Sequence, residues 1–270
     1  MPIIVNNQPQ LGKTTEYRLS IQADLNGFSF SVTDDTKGDL LLLYSSDFLM
    51  EREDMDLFVK RCTDLFTAMP ILRSKYKRVT LIWGTEKYTP IPKRVHNNIS
   101  ELKVLESQHK LDDLDEIDTV ELESENMSII FAANSTFLNM LKTYQPEFNI
   151  YPLIYINLKY LPLFEEYNKI SFHYIKGAVS IVASEGEKII YCNTFPAFHF
   201  NSALYYLLLA LKEVQFNPES TTVFVSGNIR DLEMFDIAKY FSKVKYFRNP
   251  STPLPDQISE LRYSSLLFEL

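Results

Sequence analysis

The stretch SIQADLNGFSFSV, residues 20–32, decides how the rest of the chain is read. Tyr17, Leu19 and Ile21 alternate with other residues before Asn26-Gly27, and Phe28, Phe30 and Val32 alternate after it. Asn-Gly between two alternating runs predicts a β-hairpin, because both residues tolerate the positive φ of a tight primed turn. A third strand, DLLLLY at 39–44, follows the turn DDTKG at 34–38, and its continuous apolar run predicts burial on both faces. Met55, Phe58, Val59, Cys62, Leu65 and Phe66 recur at helical spacing and predict a helix over 54–75. VTLIWG at 79–84 then reads as a buried strand.

The same order returns later in the chain. ISFHYIKGAVSIVA at 170–183 reads as two strands about a turn at Gly177, and GEKIIYCN at 186–193 as a third strand. A helix capped by Asn201 runs to Val214, and TVFVSG at 222–227 is a fourth strand. Superposing Gly84 on Gly227 aligns the two fourth strands and exposes an internal duplication of β-β-β-α-β. Between the copies, MSIIFAA at 127–133 predicts a strand, Ser135 to Tyr144 a helix, NIY at 149–151 a short strand and 153–165 a helix. The acidic stretch 107–126 reads as a loop or insertion at a subdomain edge.

The bulk chemistry narrows the function. A chain of 270 residues with 19 Phe and 16 Tyr can build a large core, while seven Gly leave little for backbone-cradled cofactor loops. A net charge of −8 argues against nucleic acid and anionic membranes as partners. MPIIVNNQPQ at the start has no basic flank or long apolar run, so a cytoplasmic protein is expected, with no membrane insertion. Cys62 and Cys192 read as two separate thiols in apolar surroundings.

A three-stranded meander, a helix and a parallel strand, duplicated, resembles the actin-like ATPase superfamily. The linking stretch IIFAANSTFLNMLKTY at 129–144 is similar to the pilus-assembly and cell-division branch. NSALYYLLLAL at 201–211 and VSGNIRDL at 225–232 resemble a bacterial domain-of-unknown-function family of that superfamily. The resemblance implies an α/β fold of two ribonuclease-H-like subdomains, mixed sheets flanked by helices, with a cleft between the halves. Residues 1–166 would form the first half, with the 107–126 insertion and the linking stretch 127–166, and 167–270 the second.

It also implies where a working site would lie. In an active member the first hairpin of each half carries an Asp-x-Gly turn that holds phosphate, Mg²⁺ and the attacking water. Asp24 matches the first Asp, but Asn26 stands where Gly is wanted and Gly27 comes one place late. The second turn, around Lys176 and Gly177, has no carboxylate. Lys176 could meet a phosphate as a point charge but cannot bind a metal, and His173 is the nearest other ionisable group. Ser226, Gly227 and Asn228 form the candidate adenosine turn.

Other motifs carry less. LGKTT at 11–15 resembles a P-loop tail without the upstream Gly or strand. DDLDEID at 112–118 lacks the central Gly of a calcium loop. His96, His109, His173 and His199 show no zinc spacing. RSKYKR at 73–78 with Lys93-Arg94 is the one basic cluster, read as cations at a helix end. The helix 203–211 is apolar all round and reads as a core helix, or as one whose outer face meets a partner.

Two functions remain open. One is a catalytically degenerate actin-like protein, without cofactor, that serves as an interaction or scaffolding module for a protein partner or for its own copies. The alternative is a nucleotide-binding switch or weak ATPase that takes ATP and Mg²⁺ through Asp24, Asn26, Gly27, Lys176, Gly177, Ser226, Gly227 and Asn228.

Overall fold

The computed structural model describes residues 3–5, 8–24, 27–48, 54–96, 99–175, 177–249, 251–252, 254 and 264–270. The chain forms two compact units. The first comprises Met1–Glu121, Asn126–Leu153 and Glu269–Leu270, and the second Leu122–Glu125 and Ile154–Phe268.

The first unit is laid out around the opening hairpin. Strands β1 (Ile3–Ile4), β2 (Tyr17–Asp24), β3 (Gly27–Asp34) and β4 (Leu40–Asp47) precede helix α1 (Met55–Ala68) and strand β5 (Arg78–Trp83). Next come β6 (Tyr88–Pro92), the short helices α2 (Lys93–His96) and α3 (Glu101–Glu106), and strands β7 (Asp115–Leu122) and β8 (Met127–Asn134). Helix α4 (Ser135–Tyr144) and strand β9 (Asn149–Pro152) complete it. The main sheet has the order β1-β4-β3-β2-β5-β9. The meander β2-β3-β4 is antiparallel, while β5 runs parallel to both β2 and β9.

Local chemistry places each element. The Asp34 carboxylate accepts from the Thr36 hydroxyl at 2.6 Å and from the Thr36 and Lys37 N–H groups, which closes the turn between β3 and β4. Those bonds, the hydroxyl first, hold its pKa below the usual carboxylate value. Asp54 caps α1 by accepting from the Leu57 N–H at 2.9 Å, and Asn134 caps α4 through the Phe137 N–H at 3.1 Å. Phe58 of α1, Trp83 of β5 and Phe137 of α4 pack ring against ring, with Trp83 and Phe137 stacked at 5.0 Å.

The helix expected over 54–75 stops at Ala68, because Pro70 disfavours helical backbone at Met69, and a 3-10 turn spans Pro70–Arg73. The acidic stretch 107–126 is not all loop. Its second half is β7, the outer strand of a three-stranded sheet with the order β6-β8-β7. Glu116 and Asp118 face water while Ile117 packs on a small core of Ile91, Leu105, Ile130 and Ala132, so the acids are the solvent side of an alternating strand. Lys87 bonds Asp112 and Asp115 at 2.6 Å each. Partial burial works against its charge, but these two carboxylates hold its pKa above the usual value.

The second unit repeats the plan. Helix α5 (Leu153–Tyr160) leads into β10 (Asn168–Ile175), β11 (Gly177–Glu185) and β12 (Lys188–Ala197). Then come α6 (Phe200–Glu213), β13 (Thr222–Gly227), α7 (Asp231–Ala238) and β14 (Lys243–Tyr246). The sheet order is β12-β11-β10-β13-β14. One face carries Ile170, Phe172, Val179, Ile181, Val223 and Val225 against α6. The helix expected over 153–165 ends at Tyr160, and a 3-10 turn containing Pro162 spans Leu161–Leu163. Asn201 is not the cap of α6. His199 holds that place without a side-chain bond, and Asn201 lies inside the first turn. Nor is α6 buried all round, since Tyr205 and Leu209 are exposed.

Lys169 is buried in β10, with 1% of its surface exposed. Its ammonium donates to the Pro162 carbonyl at 2.9 Å and to the Phe164 carbonyl, tying the strand to that 3-10 turn. Neither Cys62 nor Cys192 is in a disulfide; burial first, and then the nearby Asp24 carboxylate, pushes the Cys62 thiol well above its ordinary pKa.

Candidate functional site

The strand pairings correct the alignment of the two copies. The last pairs of the two first hairpins are Asp24 with Gly27 and Ile175 with Ala178. Across to the fourth strands, Ala23 pairs with Trp83, and Tyr174 with Gly227. The position equivalent to Gly227 is therefore Trp83, one place before the Gly84 expected from sequence. The glycines mislead because both fall at strand ends, Gly227 as the last residue of β13 but Gly84 one place past Trp83, the last of β5. Bulk is exchanged across the pair, with Ala beside Trp in the first copy and Tyr beside Gly in the second. The same register makes Ile175 the counterpart of Asp24.

In the first unit, Asp24 ends β2 with 7% of its surface exposed. A Cβ on Gly84 would lie 2.4 Å from the Asp24 Cβ, so the chain closes tightly over that carboxylate's base. Gly27 sits beside it on β3. Asn26 lies outside the described residues.

In the second unit, Ser226, Gly227 and Asn228 come together with the end of β10, and each is engaged there. The Ser226 hydroxyl bonds His173 Nδ1 at 2.8 Å. Gly227 has φ +93°, and a Cβ on it would lie 2.2 Å from the Tyr174 carbonyl oxygen. The Asn228 N–H donates to that same oxygen at 2.6 Å. Gly227 is thus required by the approach of Tyr174, whatever the turn binds. The Tyr174 ring packs on Phe200 with 5.6 Å between centroids. Gly177 opens β11 with φ +109° and nothing near its missing Cβ, and Lys176 lies outside the described residues.

Sequence reasoning missed Arg230 and Glu233. The Glu233 carboxylate accepts from the Arg230 N–H at 2.8 Å and from its guanidinium at 2.6 Å. The bond to Glu233 raises the Arg230 pKa. Glu233 is buried, with 6% exposed, so the positive end of α7 beside the 226–228 turn is filled by the protein's own carboxylate. The signal was present in R-D-L-E at 230–233, where a Glu three places after the cap is capping-box spacing. Glu233→Ala is expected to lower stability by about 1–2 kcal/mol, read from the urea midpoint.

An antiparallel meander continued by a parallel strand, built twice, defines a protein of the actin-like ATPase fold. The family described as "Protein of unknown function (DUF3822)" matches residues 6–249, and the chain belongs to it. A Bacteroides thetaiotaomicron protein with actin-like ATPase fold and unknown function is similar, at 22% identity and a TM-score of 0.80, over 92% of this chain and 96% of that one. The PilM–PilN type IV pilus biogenesis complex contains a chain similar at 13% identity and a TM-score of 0.57, over 94% of this chain and 97% of that one. No curated protein matches the sequence. Among the described residues no helix is long and apolar enough to cross a membrane, and no three metal-binding side chains gather.

Proposed function

We propose that this protein is a catalytically degenerate actin-like module that works by binding other proteins, a partner or further copies of itself, without a cofactor. The observation that carries the reading is Ile175, an aliphatic residue at the position matching Asp24. Phosphoryl transfer on this plan needs a carboxylate on each hairpin to place metal and water, and isoleucine can do neither. Glu233 adds to this, because a carboxylate already occupying the α7 terminus disfavours a nucleotide beside it. Leu232 and Phe235 support the binding role: they stand on the outer side of α7 with 73% and 68% of their surfaces exposed. PilM, of similar fold, is itself found with a protein, PilN.

The test is a thermal-unfolding scan with and without millimolar Mg·ATP and Mg·ADP. The expected result is no shift beyond about 1 °C. A ligand at about 100 times its dissociation constant adds roughly 2.7 kcal/mol, enough to raise the midpoint by roughly 5 °C. A rise of that size, abolished by Asp24→Ala, would establish the nucleotide switch in place of this reading.

A further inference from the structure

The first unit carries an open groove of about 870 Å³, bounded by the segment after α1, the end of α4, the start of β9 and the outward acids of β7. The segment after α1 carries most of the groove's cations, while Glu147, after α4, adds an exposed acid to the lining. Arg73, Lys75 and Lys142 line the groove, all exposed, and none makes an ion pair among the described residues. Their neighbours differ: Lys77 bonds Asp35 at 2.6 Å, and Arg78 lies 3.4 Å from Glu269. In a chain of 35 acidic and 27 basic residues, three neighbouring cations left without a carboxylate form a local surplus.

This side of the groove is held in shape from beneath. Buried Gln145 donates from its amide nitrogen to the Leu72 carbonyl at 2.7 Å and the Ser74 carbonyl at 2.9 Å. That clamp fixes the backbone of Arg73 and Lys75 against the end of α4, where Lys142 lies, so the three charges are pre-positioned. Asn149 and Ile150 of β9 also line the groove, and β9 is the last strand of its sheet. An edge strand presents backbone N–H and C=O groups that an extended chain can pair with.

We propose that this groove docks an extended, acid-bearing peptide segment of a partner protein. Its carboxylates meet Arg73, Lys75 and Lys142 while its backbone runs along β9. Glu116, Asp118 and Glu147, which also line the groove, select against a uniform polyanion such as RNA, since they repel any chain that is negative throughout. The inference rests on the protein-binding reading above and gives that partner a chemistry.

The experiment is a selection of phage-displayed random twelve-residue peptides on the full chain. The best binder, made synthetically and labelled, is then measured by fluorescence anisotropy. Enriched peptides are expected to carry Asp and Glu clusters. The best should bind at least about tenfold more weakly to a variant with Arg73→Glu, Lys75→Glu and Lys142→Glu. These side chains are exposed, and the milder Arg73→Gln, Lys75→Gln, Lys142→Gln set, expected to give an intermediate loss, serves if charge reversal disturbs folding. Enrichment without acidic bias, no enrichment, or equal binding to wild type and variant would overturn the proposal. So would tighter binding of a twenty-nucleotide single-stranded RNA than of the peptide. A failed selection leaves the nucleotide scan untouched, and a nucleotide shift leaves the groove untouched, so the two readings fail separately.

Discussion

Lowering the pH from 7 to 4.5 is expected to remove about 2.5 kcal/mol of stability through His173 alone. This imidazole is fully enclosed in β10, and burial pushes its pKa down to about 4. Nδ1 meets the Ser226 hydroxyl at 2.8 Å, and Nε2 has no hydrogen-bond partner among the described residues. Protonation would leave a buried charge whose second N–H points at nothing polar. The unfolded chain, with an ordinary histidine, takes up its proton near pH 6.5 and so gains over the folded state as acid is added. The contribution is therefore whole above about pH 6.5 and is lost progressively as the pH falls towards 4. Asp34, Asp35 and Glu166 are held below their usual values by their partners, so most of their losses come at lower pH, while burial raises the Glu125 carboxyl, which works in the opposite direction as acid is added. Urea unfolding at pH 7 and 4.5 should show the difference, and His173→Phe should abolish most of it. An equal acid loss in the His173→Phe variant would refute the assignment.

Gly227→Ala is expected to cost about 3 kcal/mol or more, and to leave much of the protein insoluble. Two costs coincide there. At φ +93° an alanine is strained, and its Cβ would sit 2.2 Å from the Tyr174 carbonyl oxygen, a backbone atom that cannot swing aside. The two strands would have to part where β10 and β13 are paired. Gly12→Ala is the control: nothing lies within 4 Å of its missing Cβ, and a change within about 0.5 kcal/mol is expected. Soluble yield and melting midpoint of the two variants, side by side, decide the matter. A Gly227→Ala protein as stable as the control would mean that the strand end yields more easily than its packing implies.

The candidate site was legible in the sequence only in outline. That the second hairpin turn carries no acid could be read directly, because a turn is a local word and Y-I-K-G contains none. That Ile175 is the residue standing in for Asp24 could not be read, since glycines at 84 and 227 suggest a register one place away from the one the strands adopt. The burial of Glu233 was also out of reach. Its spacing announced a cap, but its burial beside Tyr174 depends on how α7 lies against the end of β10. The acidic stretch shows the opposite error. Charge density in 107–126 suggested a loop, and the alternation of Ile117 with Glu116 and Asp118 that makes β7 was hidden by the weight of its solvent face.

By itself, the sequence determined the duplication, the hairpins, the helices that cover the sheets, and so the actin-like fold, because each is written in periods of two or 3.6 residues within a short window. The tertiary structure alone decided which atoms meet across those elements. His173 and Ser226 are 53 residues apart in the chain and 2.8 Å apart in space. Gly227 is forced by a carbonyl of another strand, and the unpaired cations of the groove are gathered by a glutamine clamped across the end of a helix. Strand register and packing direction set such approaches, and both are properties of pairs of elements that a periodic pattern within one element does not encode.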